Sequence, residues 1–148
     1  MKSNMNLSGD VTFTILDSQG VVNRVTHKNR VTQKGVELIM NRFIACAGPF
    51  ITSMAVGLDN TPPNGLEIGL GAVASSALLK SYQTTLSPPV GGAIEFQCTF
   101  PQFADVTAIN EIGMFAGDTL FSRSIFPTIT MEPSQYLDIA WVISFTSV

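Results

Sequence analysis

An all-β fold, a two-sheet antiparallel sandwich or jelly roll of about eight strands with one helix inserted near residues 32–46, is what this sequence predicts. Three observations predict it. Apolar residues alternate with polar ones at period two along most of the chain, Gly, Pro and Asp clusters separate the alternating runs, and only one segment carries an apolar period near 3.6. At 148 residues the chain suits a single domain able to bury its own core.

Val11, Phe13 and Ile15 share one face of an opening strand, with Thr12, Thr14 and Leu16 on the other. Asp17-Ser18-Gln19-Gly20 reads as a turn, and Val21 to Thr26 returns to complete a hairpin. Thr32 is placed to cap a helix whose apolar positions are Val36, Ile39, Met40 and Phe43, with Gly48-Pro49 as the stop. Ile51 to Leu58 reads as a strand and Asp59 to Gly65 as a long loop. Leu78 to Leu86 is expected to be one strand, Pro88 to Gly92 a turn, and Ile94, Phe96, Cys98 and Phe100 the inward positions of the return. Thr107 to Phe115 and Thr119 to Phe126 form a further hairpin around Gly117-Asp118. In the last strand Leu137, Ile139, Trp141, Ile143 and Phe145 share a face, giving Trp141 a structural place in the core. Residues 1–9 are polar and are expected to be a flexible arm on a single sandwich domain spanning 10–148.

Charged residues make up 13% of the chain, against about 25% in ordinary soluble domains. Apolar residues make up 45%, and the mean hydropathy is +0.30. Uncharged and apolar side chains must therefore cover much of the surface, and contiguous apolar surface marks an interface. The expectation is a protein that works inside an assembly. A net charge of −3 disfavours a nucleic-acid partner, which calls for a positive field. The charge is uneven: residues 1–42 hold six basic side chains and three acidic ones, while the remainder holds two basic and eight acidic. A basic N-terminal part can dock on an acidic protein surface or serve simply as a solvated face. The opening residues lack the apolar run of a signal peptide, and no stretch reaches the roughly 18–20 apolar residues that span a bilayer. No membrane partner is expected, and the chain is expected to be made in a cytoplasm.

Candidate chemistry is sparse. Gly69 to Ala74 satisfies G-x-G-x-x-A, yet it follows a Pro-rich loop and precedes a β pattern, so small residues lying flat against a neighbour explain it better than a nucleotide site. His27 is the single histidine and has no triad signature around it. Cys46 and Cys98 lie 52 positions apart with no C-x-x-C spacing, which suits buried free thiols better than a redox or metal motif, with a disulfide left open. Too few N and S ligands are present for a structural zinc site. Glu111 stands in an otherwise apolar strand, where a carboxylate needs donors. It is read as structural, accepting from loop backbone N–H groups or pairing with Arg123 across the hairpin; the functional alternative is a general acid. No catalytic residue, cofactor or metal is assigned.

Several segments together resemble a group of small tailed-bacteriophage virion proteins. They are Thr32 to Ile39, Met54 to Pro63, Ile94 to Phe100, Ile109 to Phe115, Leu120 to Pro127 and Leu137 to Phe145. Similar segments occur in capsid cement or decoration proteins and in domains of tail and baseplate fibres, and the resemblance spans roughly residues 30–146. Gly57-Leu58-Asp59-Asn60 replaces a Gly-Thr-Gly-Thr-like stretch of the commoner pattern. The resemblance implies a non-enzymatic virion protein on the capsid exterior, with the major capsid protein and copies of itself, as dimers or trimers, as partners. A fibre needs heptads or repeats, which this chain lacks, so a cement role fits better than a tail or baseplate component. A carbohydrate-binding sandwich is the third reading. Candidate interface residues are Met1, Lys2, Ser3 and Asn4 in the arm, the basic Arg24, Lys28 and Arg30, and Asn60, Pro62, Pro63 and Leu66 in the long loop.

Overall fold

The computed structural model describes residues 5–86 and 91–147. In chain order the elements are β1 (Met5–Asp17), β2 (Gly20–Lys28), β3 (Arg30–Val31), α1 (Gln33–Ala45), β4 (Ile51–Gly57), β5 (Val73–Leu78), β6 (Ser81–Leu86), β7 (Gly91–Phe100), β8 (Thr107–Ala116), β9 (Thr119–Met131) and β10 (Tyr136–Ser147). They form two antiparallel five-stranded sheets, ordered β2, β1, β10, β7, β6 and β3, β9, β8, β4, β5. The fold is thus an all-β two-sheet sandwich with one helix.

Period-two alternation decides what lies between the sheets. Val11, Phe13 and Ile15 of β1 and Leu137, Ile139, Trp141 and Ile143 of β10 are buried, and the register sets Val11 beside Trp141 and Phe13 beside Ile139. Phe96, Cys98 and Phe100 of β7 extend the same face, and Met54, Val56, Ile112 and Met114 meet it from the other sheet. Trp141 is fully buried within this cluster.

The helix begins where a hydroxyl is needed. Thr32 Oγ1 accepts the Gly35 N–H at 3.0 Å and donates to the Leu120 carbonyl at 2.6 Å, so one side chain caps α1 and ties it to β9. The helix ends before Gly48-Pro49. Cys46 takes a left-handed conformation at φ 48° and its N–H returns to the Arg42 carbonyl at 3.2 Å, closing the last turn.

Three expectations need correction. The arm proposed for residues 1–9 is not an arm from Met5 onward: Met5 to Gly9 pair with β10 between Ile143 and Ser147, because β10 is long enough to give their backbone groups partners. Met1, Lys2, Ser3 and Asn4 lie outside the described residues, as do positions 88–90 of the expected Pro88 to Gly92 turn. The segment read as one strand from Leu78 to Leu86 is instead a corner. The chain leaves β5 at Leu78, bends at Leu79-Lys80 and continues as β6 in the opposite sheet, with Leu79 N–H donating to Thr52 O and Lys80 N–H to Gln97 O. β9 also runs past Pro127 to Met131. Pro127 is tolerated because it falls at the bulge between the Glu111–Ile125 and Ile109–Ile129 pairs, where no ladder bond is required of it.

Candidate functional site

Strand β8 is buried on both faces. Ile112 and Met114 point into the core, while Glu111 and Gly113 point to the opposite side of the sheet, where the segment Leu58 to Ala72 covers them. This segment is an Ω-shaped loop whose base is closed by Leu58 N–H donating to Ala72 O at 2.9 Å.

An ion pair pins the loop at both ends. Arg123 Nε donates to Glu111 Oε2 at 2.9 Å, with both side chains buried. The guanidinium then reaches the rising limb of the loop, donating to Thr61 O at 2.8 Å and Asp59 O at 3.2 Å. The other oxygen of Glu111 accepts the Gly71 and Ala72 N–H groups of the descending limb at 3.0 and 3.3 Å. The G-x-G-x-x-A segment therefore does cradle an anion, the protein's own carboxylate. Gly57 and Gly71 allow the close approach, since a Cβ at either would collide with Ala72 and Glu111 or with Asp59.

Two further carboxylates complete the cluster, Asp59 at 3.7 Å and Glu67 at 3.8 Å from Arg123. The Thr61 hydroxyl and N–H bonds, with Arg123 nearby, hold the Asp59 carboxyl below the usual range. Burial works to raise Glu67, but the N–H groups of Glu67, Asn64 and Gly65 and the Arg123 charge outweigh it and leave Glu67 lowered. Gln33 N–H donates to Gly65 O at 2.7 Å and Arg30 Nη1 to Pro63 O at 3.2 Å, so helix start and loop also brace one another. With its polar groups bonded inward, the loop turns Leu58, Leu66 and Ile68 outward; Ile68 is 82% exposed.

A second apolar feature lies along the later turns of α1. Between α1 and the core-facing side chains of β6, β7 and β10 is an open groove of about 740 Å³ whose walls include Leu38, Ile39, Phe50, Tyr82, Phe96 and Phe145. Arg42 lies over the Phe50 ring at 4.1 Å and donates to the Cys46 and Gly48 carbonyls, holding the helix end against the groove's rim. No acidic side chain lines it among the described residues.

The structure gathers some of the sequence-derived interface residues and separates others. Asn60, Pro62, Pro63 and Leu66 all lie on the Ω-loop, and Arg30 joins them through Pro63. Arg24 and Lys28 stand on β2, the edge of the other sheet, where Arg24 donates to Thr14 and Lys28 pairs with Asp10 at 2.6 Å. Glu111 has both structural partners expected of it, loop N–H groups and Arg123. The exposed Phe50, Ile68, Val73, Leu78 and Tyr82 escaped sequence reading. For Val73 and Leu78 the signal available was the charge-free run from Gly69 to Leu79. His27 packs its ring near Phe126, centroids 5.7 Å apart; both cysteines are free, but only Cys98 is buried as expected, since Cys46 caps the end of α1 and is exposed. Burial, with Asp138 adding to it, pushes the Cys98 thiol up to about 11.

Among the described residues no group of three His, Cys, Asp or Glu side chains is arranged to hold a metal ion, and no helix is long and apolar enough to cross a membrane. Comparison with protein-family models, with curated proteins and with solved structures returned no match.

Proposed function

We propose that this chain is a structural protein of a phage virion, a cement or decoration subunit that docks on the shell formed by the major capsid protein through the tip of its Ω-loop. One observation carries the reading: a loop locked by a buried ion pair that nevertheless holds Leu58, Leu66 and Ile68 out in solvent. An apolar tip that is already rigid loses little entropy on binding, which is how a docking surface is preorganised. The low charge content of the whole chain and the segments resembling virion proteins point the same way. Arg30, tied to Pro63, supplies a cation at the rim of the tip, and rim charges set the approach of an acidic partner more than its affinity.

Two measurements test the proposal. Quantitative mass spectrometry of purified particles gives copy number, and hundreds of copies per particle are expected of a shell subunit. A handful would place the chain in the tail or baseplate and overturn the cement reading. In shell-binding assays Ile68→Ser is expected to weaken attachment while leaving the melting temperature unchanged, because Ile68 contributes little to the fold. Undiminished attachment overturns the assignment of the loop tip.

A further inference from the structure

We propose that Asn64-Gly65 is a self-modifying site, at which the Gly65 nitrogen attacks the Asn64 side-chain amide to form a succinimide and release ammonia, with the Glu67 carboxylate as base. The site stands whether or not the loop tip docks on a shell. Asn64 is the one asparagine of the chain that is followed by glycine. A glycine nitrogen is the least hindered backbone nucleophile, because no Cβ stands beside it.

The reacting atoms have their partners in place. Gly65 N–H donates to Glu67 Oε2 at 2.8 Å, the reach that a general base needs to the proton it removes. Leu66 N–H donates to Asn64 Oδ1 at 2.8 Å, so a donor already faces the oxygen on which negative charge develops when Cγ is attacked. Asn64 N–H donates to Glu67 Oε1 at 2.6 Å, and Arg123 lies 3.8 Å from the same oxygen, which fixes how the carboxylate is turned. Burial opposes charge on Glu67, but these N–H groups and Arg123 keep it ionised at neutral pH. On the other side of the peptide is a cation: a Cβ built on Gly65 would stand 3.2 Å from Arg30 Nε. Asn64 itself is exposed, which admits water to the second step.

The Gly65 proton passes to Glu67 as the nitrogen bonds to Asn64 Cγ. The Cγ–Nδ2 bond then breaks, and Nδ2 leaves as ammonia with that proton, restoring the carboxylate. Water opens the ring at either carbonyl and leaves aspartate or isoaspartate at position 64. Both products put a negative charge between Pro63 and Leu66, and isoaspartate also adds a carbon to the main chain. The loop tip therefore changes with the age of the chain.

The full chain, kept at neutral pH either folded or in guanidinium chloride, is digested and mapped for succinimide, aspartate and isoaspartate at each asparagine. Asn64 is expected to react about tenfold faster folded than unfolded, short of the hundredfold or more of better-matched bases because a carboxylate is weak against an amide proton. Asn60, exposed in the same loop but followed by threonine, is expected to react no faster folded than unfolded. Glu67→Gln should abolish the folded-state gain at Asn64 and leave the unfolded rate unchanged. The site is overturned if Asn64 in the parent reacts no faster folded than unfolded, since the bonds then only hold the dipeptide still. An equal gain at Asn60, or an undiminished gain in Glu67→Gln, overturns it too. The parent's own ratio needs no variant, so the test survives a substitution that disturbs the loop.

Discussion

Glu111 and Arg123 meet at 2.9 Å across the β8–β9 hairpin, on the face of the sheet turned away from the core, and the Ω-loop shields both from water. The pair joins sheet and loop because each partner spends its remaining hydrogen-bonding capacity on a different limb of the loop. Removing Arg123 leaves Glu111 buried without its cation, and removing Glu111 leaves Arg123 with only the longer ionic contacts to Asp59 and Glu67. Breaking a buried pair costs about 3–5 kcal/mol. Arg123→Met and Glu111→Leu are each expected to destabilise by that order in urea unfolding. The double variant should recover a large part of the loss, as a double-mutant cycle would report. Additive losses would show that the two side chains act independently.

Acid should release the loop. Asp59 and Glu67 have carboxyls lowered below 3.8 and 4.5, so at mildly acidic pH the folded state binds fewer protons than the unfolded one. Their stabilisation is therefore present above those values and is lost as pH falls through the lowered folded ones. Hydrogen exchange of the Thr61, Asn64 and Gly65 amides, normalised for intrinsic rates, should lose protection below about pH 4 while the β1–β10 ladder persists. Loss of both together would place the clasp in the global fold instead of in a local one.

The two thiols should react unequally. Cys46 is exposed at the helix end, whereas Cys98 is buried and held protonated up to about 11. Alkylation at pH 8 is expected to modify one cysteine in the native protein and two after denaturation. The raised Cys98 value also has a sign: between 9.0 and about 11 the unfolded thiol ionises while the folded one does not, so this contribution to stability falls as pH rises through that window.

Thr32→Ala removes the cap of α1 and the bond to Leu120 at once. The expected loss is about 1–2 kcal/mol in thermal unfolding. Thr32→Ser, which keeps the hydroxyl, should recover most of it. Failure of serine to rescue would assign the effect to the threonine methyl.

Gly57→Ala tests the tight seat of the clasp. A methyl there collides with the Ala72 carbonyl and Glu111 Oε1, so the loop base must shift. A cost of about 1–3 kcal/mol is expected, with protection of the Gly71 and Ala72 amides falling first. Gly69→Ala, which meets open space, should be close to neutral and serves as the comparison.

Much of this molecule was legible from local pattern alone. Alternation in Val11 to Ile15, Ile94 to Phe100 and Leu137 to Phe145 reports which face is buried, because side chains of a strand alternate whatever it pairs with. Thr32 announced the helix start through its hydroxyl, and the lone carboxylate in the apolar run Ile109 to Phe115 announced a need for partners. Residues 73–78 carried too little hydrophobic contrast to read as a strand, and nothing in Leu79-Lys80 marks the crossing between sheets. The pairing of Met5 to Gly9 depended on a strand more than a hundred positions away.

What the amino-acid order determined by itself was therefore the class of fold, the inward faces and the scarcity of charge on the surface, all of which follow from residue type and period. Only the tertiary structure decided that Glu111 and Arg123 together reach both limbs of one loop, that Leu66 and Ile68 project together, and that the charge-free β5 and β6 lie at open edges. The bonds from that pair to the loop join residues 39 to 64 positions apart, and distance along the chain says nothing about them until the sheets have closed.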